Sequence, residues 1–184
     1  MSTIADRSGS VLLVIDVQQE VFADAYDRDG VVSRISSLVD GARAAGTPVI
    51  WVQHSDEELE YGSDGWRIVD ELVPADGEVI IEKLWGDTFE GTNFEDVLAG
   101  LKASEIVVTG GQTDFCVRST LHGGFTRGYD MTLIGDAHST IDLSEWIEGV
   151  PTPESLMAHT NAYWGNQKAP GRTARVVSAS HMTF

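Results

Sequence analysis

Along this chain, short apolar runs rich in β-branched residues alternate with stretches whose apolar positions recur every three or four residues. The runs Val11–Asp16, Pro48–Gln53, Glu78–Glu82, Glu105–Thr109, Met131–Gly135 and Arg175–Ser178 are predicted strands. The first, third and fourth are nearly continuous rather than alternating, as expected of strands covered on both faces of a parallel sheet. In Val31–Ala45, the residues Val32, Ile35, Leu38, Val39 and Ala42 share one helical face, and Gly46-Thr47-Pro48 stops the helix. Asn93 is placed to cap a helix carrying Phe94, Val97, Leu98 and Leu101 on one side. Cys116–Arg127 and Pro153–Tyr163 supply two more helices, and Ser55–Pro74 reads as irregular or partly helical. Strand and helix alternate throughout, which predicts an α/β doubly wound sheet. No linker, low-complexity block or repeat divides the chain, so it reads as one domain over 1–184 with its core at about 10–178.

Charge narrows the partners. Twelve Lys and Arg against 29 Asp and Glu give a net charge of −17. Phosphate binding rests on clustered cations, so nucleic acid is disfavoured, and an anionic membrane surface equally so. The longest aliphatic run, Val11–Ile15, is far too short to span a bilayer, and the first ten residues lack the apolar core of a secretory signal. A single cysteine, Cys116, forms no internal disulfide. A cytoplasmic globular protein is the expectation.

In an open parallel sheet, ligands bind outside the carboxyl ends of the strands. Reading there finds Asp16-Val17-Gln18 after the first strand, Lys83 through Asp87 after the third, Gly110 through Cys116 after the fourth, and Gly135 through His138 after the fifth. An acid, an amine and the one thiol therefore meet at one edge. Each also has a plain structural reading. A lone cysteine is more often a small buried hydrophobe, Asp16 a helix cap, and Lys83 a solvated strand end. Position favours chemistry. A thiol in the first turn of a helix, near a lysine, is expected to have its pKa lowered from about 8.5 toward neutrality. With a carboxylate in reach to take its proton, it becomes an activated nucleophile. Gly110 and Gly111 suit a sharp turn that points N–H groups into a cleft. The run GGQTDFC fits neither common phosphate-loop pattern, and no GxSxG elbow is present.

The segments VLLVIDVQ, VIIEK and VVTGGQTDFCVRSTLHGGFTRGYDMTLIGDAHST resemble the isochorismatase-like cysteine hydrolases, which include nicotinamidases, N-carbamoylsarcosine amidohydrolases and streptothricin hydrolases. The resemblance implies a six-stranded parallel sheet with helices on both faces, and Asp16, Lys83 and Cys116 as a catalytic triad. It also implies a cis peptide bond between Gly111 and Gln112, with the N–H groups of Gln112 and Cys116 forming an oxyanion hole. The implied reaction is hydrolysis of an amide or lactam through an acyl-thioester, with Asp16 alternating as base and acid. Family members usually form dimers or larger assemblies, so a homo-oligomer, dimer or tetramer, is expected.

The nicotinamidase metal ligands, an aspartate and histidines after the second strand, are not reproduced. Here the chain reads Trp51-Val-Gln-His-Ser-Asp56, and no other pair of the five histidines has zinc spacing, so no metal and no cofactor are expected. His54 then serves as a pocket or structural residue, and His138 and His159 serve hydrogen bonding or packing. Gln18, Phe22, His54, Trp85 and Phe115 are the candidate pocket residues, although the aromatic ones, like Trp164, suit a core role equally. Residues Asp56–Glu78 hold nine acids against Arg67 alone. Such a run is usually a solvated face, but it also suits steering of a cationic small-molecule substrate. The SDEELEYGSDGW stretch and the C-terminal segment look most like the streptothricin-hydrolase branch. Two alternatives stand beside that reading: vinyl ether hydrolysis of isochorismate, a dianion poorly matched to this charge, and a catalytically idle binding module.

Overall fold

The computed structural model describes residues 2–144 and 146–184. In chain order its elements are β1 (Gly9–Ile15), α1 (Arg28–Ala45), β2 (Val49–His54), β3 (Val79–Lys83), α2 (Phe94–Gly100), β4 (Ala103–Gly111), α3 (Arg118–Arg127), β5 (Asp130–Ser139), α4 (Pro153–Gly165), β6 (Lys168–Ala169) and β7 (Arg172–Val177). A π-helical turn, Thr113–Val117, joins β4 to α3.

The sheet order is β3-β2-β1-β4-β5-β7-β6. All six expected strands form and pair in parallel, with shifted ends. The sheet nevertheless has seven strands, not six. The extra one, β6, is two residues long and pairs antiparallel with β7 across a tight turn in which Gly171 has φ 67°. A strand this short and half polar leaves no hydrophobic period to read.

Burial explains why β1 is apolar at every position. Val11, Leu13 and Ile15 pack with Phe94 of α2, Leu121 and Phe125 of α3 and Trp164 of α4. Leu12 and Val14 point the other way, onto Val32, Ile35 and Val39 of α1. Both faces of the sheet are thus covered, and each such side chain contributes about 1.5–3 kcal/mol of hydrophobic stabilisation. α1 ends as its sequence predicts, with Gly46 left-handed and the Thr47 N–H returning to the Ala42 carbonyl. At α2 the capping differs from expectation. Asn93 occupies the cap position without a side-chain bond, and the neighbouring Thr92 hydroxyl accepts the Phe94 N–H at 3.2 Å. Ser55–Pro74 forms turns and one isolated bridge, Gln18 to Ile68.

Strand order reverses between β1 and β4, which opens a crevice at their carboxyl ends. There Ile15 pairs with Gly110, whose φ is 108°. A Cβ on Gly110 would lie 2.0 Å from the Ile15 carbonyl oxygen, so only glycine lets the strands approach this closely.

Candidate active site

Three strand ends deliver the site. Asp16 follows β1 with a left-handed backbone, φ 48°, rare for a residue with a side chain. Its N–H donates to the Val52 carbonyl of β2 at 3.0 Å, which holds the carboxylate over the crevice. Lys83 ends β3, and Cys116 lies in the π-helical turn after β4. The Lys83 ammonium sits between the other two, with Nζ 2.7 Å from Asp16 Oδ2 and 3.2 Å from Cys116 Sγ. The Lys83 and Asp16 side chains are 0% and 1% exposed, so this ion pair is fully withdrawn from water. Cys116 is partly exposed and faces the cavity.

The electrostatics correct one expectation. The Cys116 thiol is not brought toward neutrality. Burial pushes it up to about 12, the Asp16 carboxylate adds to the rise, and Lys83 offsets it only in part. Nor does Cys116 occupy the first α-helical turn, since α3 begins two residues later, at Arg118. Burial raises the Asp16 carboxyl as well, despite the opposing lysine, and makes it a stronger base than an ordinary aspartate. Burial opposes the charge on Lys83, but Asp16 and Cys116 together hold its pKa above the usual value. Cys116 is thus a neutral thiol beside the Lys83–Asp16 pair.

The peptide bond between Gly111 and Gln112 is cis. Within the turn, the N–H groups of Phe115 and Val117 both donate to the Gln112 carbonyl at 3.1 Å.

A cavity of about 470 Å³ opens over the thiol. Of the five residues expected to line it, His54 and Phe115 do. Gln18 does not. It is fully buried beneath, its amide donating to the His54 and Trp66 carbonyls while its oxygen accepts the His54 N–H. Phe22 is fully buried too, its ring packed so tightly against Gly111 that a Cβ there would come within 2.6 Å. Trp85 lies outside the cavity, 61% exposed and near Gly91. Trp164 belongs to the core. Asp56 and Glu58, read in the sequence only as part of an acidic run, line the cavity; sequence reading missed Glu20, a third carboxylate of that wall, and Val21, Leu59 and Ile141, which supply apolar surface. Asp56 was the most accessible of these to inference, because it directly follows the carboxyl end of β2.

Among the described residues, no Lys or Arg lines the cavity, and the Glu20 and Glu58 side chains make no hydrogen bond or ion pair. His54 Nε2 lies 3.0 Å from Asp56 Oδ2. The Leu59 N–H, His54 and the Glu58 N–H hold the Asp56 carboxyl below its ordinary value. No three His, Cys, Asp or Glu among the described residues are grouped to hold a metal ion. No helix among them is long and apolar enough to cross a membrane.

The Isochorismatase domain family model matches residues 10–150. A streptothricin hydrolase of Streptomyces noursei is 31% identical over 167 residues, covering 87% of this chain and 66% of that protein. A secreted isochorismatase effector of Verticillium dahliae is 30% identical over 146 residues, covering 76% and 77%. The crystal structure of an isochorismatase family protein superposes with a TM-score of 0.81 at 27% identity, covering 92% of this chain and 98% of that one.

Proposed function

The chain belongs to the isochorismatase domain family of hydrolases, and on that footing we propose that it cleaves the C–N bond of a small, positively charged amide or lactam by cysteine catalysis. The observation that carries this reading is Lys83 Nζ placed within reach of both Asp16 and Cys116. The likeness to a streptothricin hydrolase supports a substrate of streptothricin-lactam type.

In the first half-reaction, Asp16 takes the Cys116 proton and the thiolate adds to the substrate carbonyl carbon. Lys83 compensates the charge as it moves from carboxylate to sulfur. The N–H groups of Gln112 and Cys116 receive the oxyanion, a contribution on the order of 3 kcal/mol per donor. Collapse of the tetrahedral adduct breaks the C–N bond, and Asp16 hands its proton to the departing nitrogen. In the second half, Asp16 takes a proton from water as the water attacks the thioester, then returns it to the Cys116 sulfur as the acid leaves. Protons and electrons balance, and no cofactor enters.

The cavity wall supports the charge preference. Glu20 and Glu58 have no partner among the described residues and line a partly apolar cavity, so a cation entering there gains partners while a dianion meets repulsion. That disfavours isochorismate as substrate. The test is a panel of cationic amides and aminolactams, their neutral N-acetyl counterparts, and isochorismate, with wild type beside Cys116→Ala. Release of amine or acid from the cationic members, reduced by roughly 10³-fold or more in Cys116→Ala, is the expected result. Turnover that survives Cys116→Ala sinks the mechanism.

A further inference from the structure

Three consecutive polar residues at the end of β5 and just after it, His138, Ser139 and Thr140, are fully buried. None lines the cavity. His138 and Thr140 instead grip the turn that carries the nucleophile. His138 Nδ1 lies 2.8 Å from the Thr113 hydroxyl, and the Thr140 hydroxyl donates to Asp114 Oδ1 at 2.6 Å. The neighbouring Ser139 hydroxyl donates to the Tyr26 carbonyl, holding the loop that follows Asp16.

The proton positions follow from the partners. Asn161 Nδ2 donates to the Gly135 carbonyl at 2.8 Å, which turns its Oδ1 toward His138 Nε2 at 3.0 Å. An amide oxygen only accepts, so Nε2 carries the hydrogen and Nδ1 is left to accept from the Thr113 hydroxyl. The result is a directed chain from Thr113 through the imidazole to α4 and back to the β5 backbone. Burial pulls the His138 pKa down and keeps the ring neutral, as this bonding pattern requires.

The turn itself has little else of this kind. Its internal bonds, from the Phe115 and Val117 N–H groups to the Gln112 carbonyl, tie it to itself. The Phe115 side chain is half exposed. We propose that His138 and Thr140 are positioning residues: by fixing Thr113 and Asp114, they set where Cys116 Sγ and the N–H groups of Gln112 and Cys116 stand relative to the Asp16–Lys83 pair. The catalytic part of this inference rests on the hydrolase reading above; the placement of the thiol does not. A nucleophile displaced by about 1 Å costs on the order of 10²-fold in rate, so two side-chain anchors on this turn have leverage.

The test replaces each hydroxyl by a methyl of similar shape, in Thr113→Val and Thr140→Val, beside Thr113→Ser and Thr140→Ser, which keep the hydroxyl. Two readouts are taken: kcat and KM on the cationic amide, and the rate of Cys116 alkylation by iodoacetamide across pH 6–10. The expected outcome is a kcat loss of about tenfold for each Val variant and about 10² for the double variant. KM stays nearly unchanged, alkylation is altered in parallel, and the Ser variants recover most of the loss. Val variants with wild-type kcat and alkylation overturn the proposal, as does a change confined to KM. If Thr113→Val does not fold, the Thr140 pair still tests the second anchor of the same turn, through Asp114. Should wild type turn over no amide while the alkylation contrast persists, the hydrolase reading fails and the positioning role stands.

Discussion

The two ends of the central sheet treat a carboxyl group in opposite ways. At the amino end, Glu78 precedes β3 and is surrounded by donors: Arg43 at 2.8 and 2.9 Å, the Trp51 indole at 2.7 Å and the Ala75 N–H at 2.8 Å. Burial works against its charge, yet these bonds hold the carboxyl down at about 2. At the carboxyl end, Asp16 is more deeply buried, Lys83 is its one ion-pair partner among the described residues, and burial pushes its carboxyl up. Glu20 and Glu58 stand beside it with no partner among the described residues. A carboxylate saturated with donors has given up its basicity for stability. One left short of donors keeps its basicity, or its appetite for an incoming cation.

The sharpest way to break that contrast is Asp16→Asn, which removes the base but keeps its shape. Turnover is expected to fall by about 10³-fold or more. The thiol should respond in the other direction. Asp16 raises the Cys116 pKa and Lys83 lowers it, so removing the carboxylate leaves lysine alone beside sulfur. Alkylation of Cys116 at pH 7 should then run faster than in wild type, while catalysis is lost for want of an acid and base. Alkylation that slows in Asp16→Asn contradicts the contribution of Asp16, beside burial, to the raised thiol pKa.

Glu78→Gln probes the other end. Activity should be unchanged. Stability at pH 7 should fall by about 2 kcal/mol, allowing for partial exposure of the group. The sign follows from the depressed pKa. The folded-state value of about 2 lies below the ordinary 4.5, so the stabilisation is complete above pH 4.5 and is lost as pH falls toward 2. Denaturant curves of wild type and Glu78→Gln should therefore differ at neutral pH and converge in acid. A constant difference at all pH values sinks this account.

Much of the site was legible in the sequence for a physical reason. Strands buried on both faces leave uninterrupted apolar runs, and the rule that ligands gather at their carboxyl ends then singles out Asp16, Lys83 and Cys116 without knowledge of their distances. The failures share a cause too. Phe22 and Gln18 follow Asp16 closely in the chain, but sequence does not say which way a loop side chain turns, and both turn inward as buried supports for the backbone. Trp85 turns outward. The thiol's rise was hidden because desolvation depends on what the fold packs around sulfur, whereas helix position and a nearby lysine can be read from the chain alone. The acidic run was visible as composition only. Its division into Glu71 and Glu78, paired with Arg28 and Arg43 of α1, and Asp56 and Glu58, facing the cavity, needed the fold.

The smallest expected effect tests whether those cavity carboxylates are a binding device or a solvated face. Each of Glu20→Gln and Glu58→Gln should raise KM for a cationic amide by about two- to fivefold, the worth of a partly exposed charge pair, and the double variant by about tenfold. A neutral amide of the same size should be indifferent to all three. Glu57→Gln, beside Glu58 but outside the cavity lining, controls for net charge and should leave KM unchanged. Raising the salt from about 0.01 to 1 M shortens the screening length from about 30 to 3 Å, so the advantage of the cationic substrate should shrink in wild type and be nearly absent in the double variant. If Glu57→Gln weakens binding as much as Glu58→Gln, long-range attraction from the whole negative surface is at work rather than recognition in the cavity. The unpaired carboxylates then lose their special status against the paired ones at the far end of the sheet.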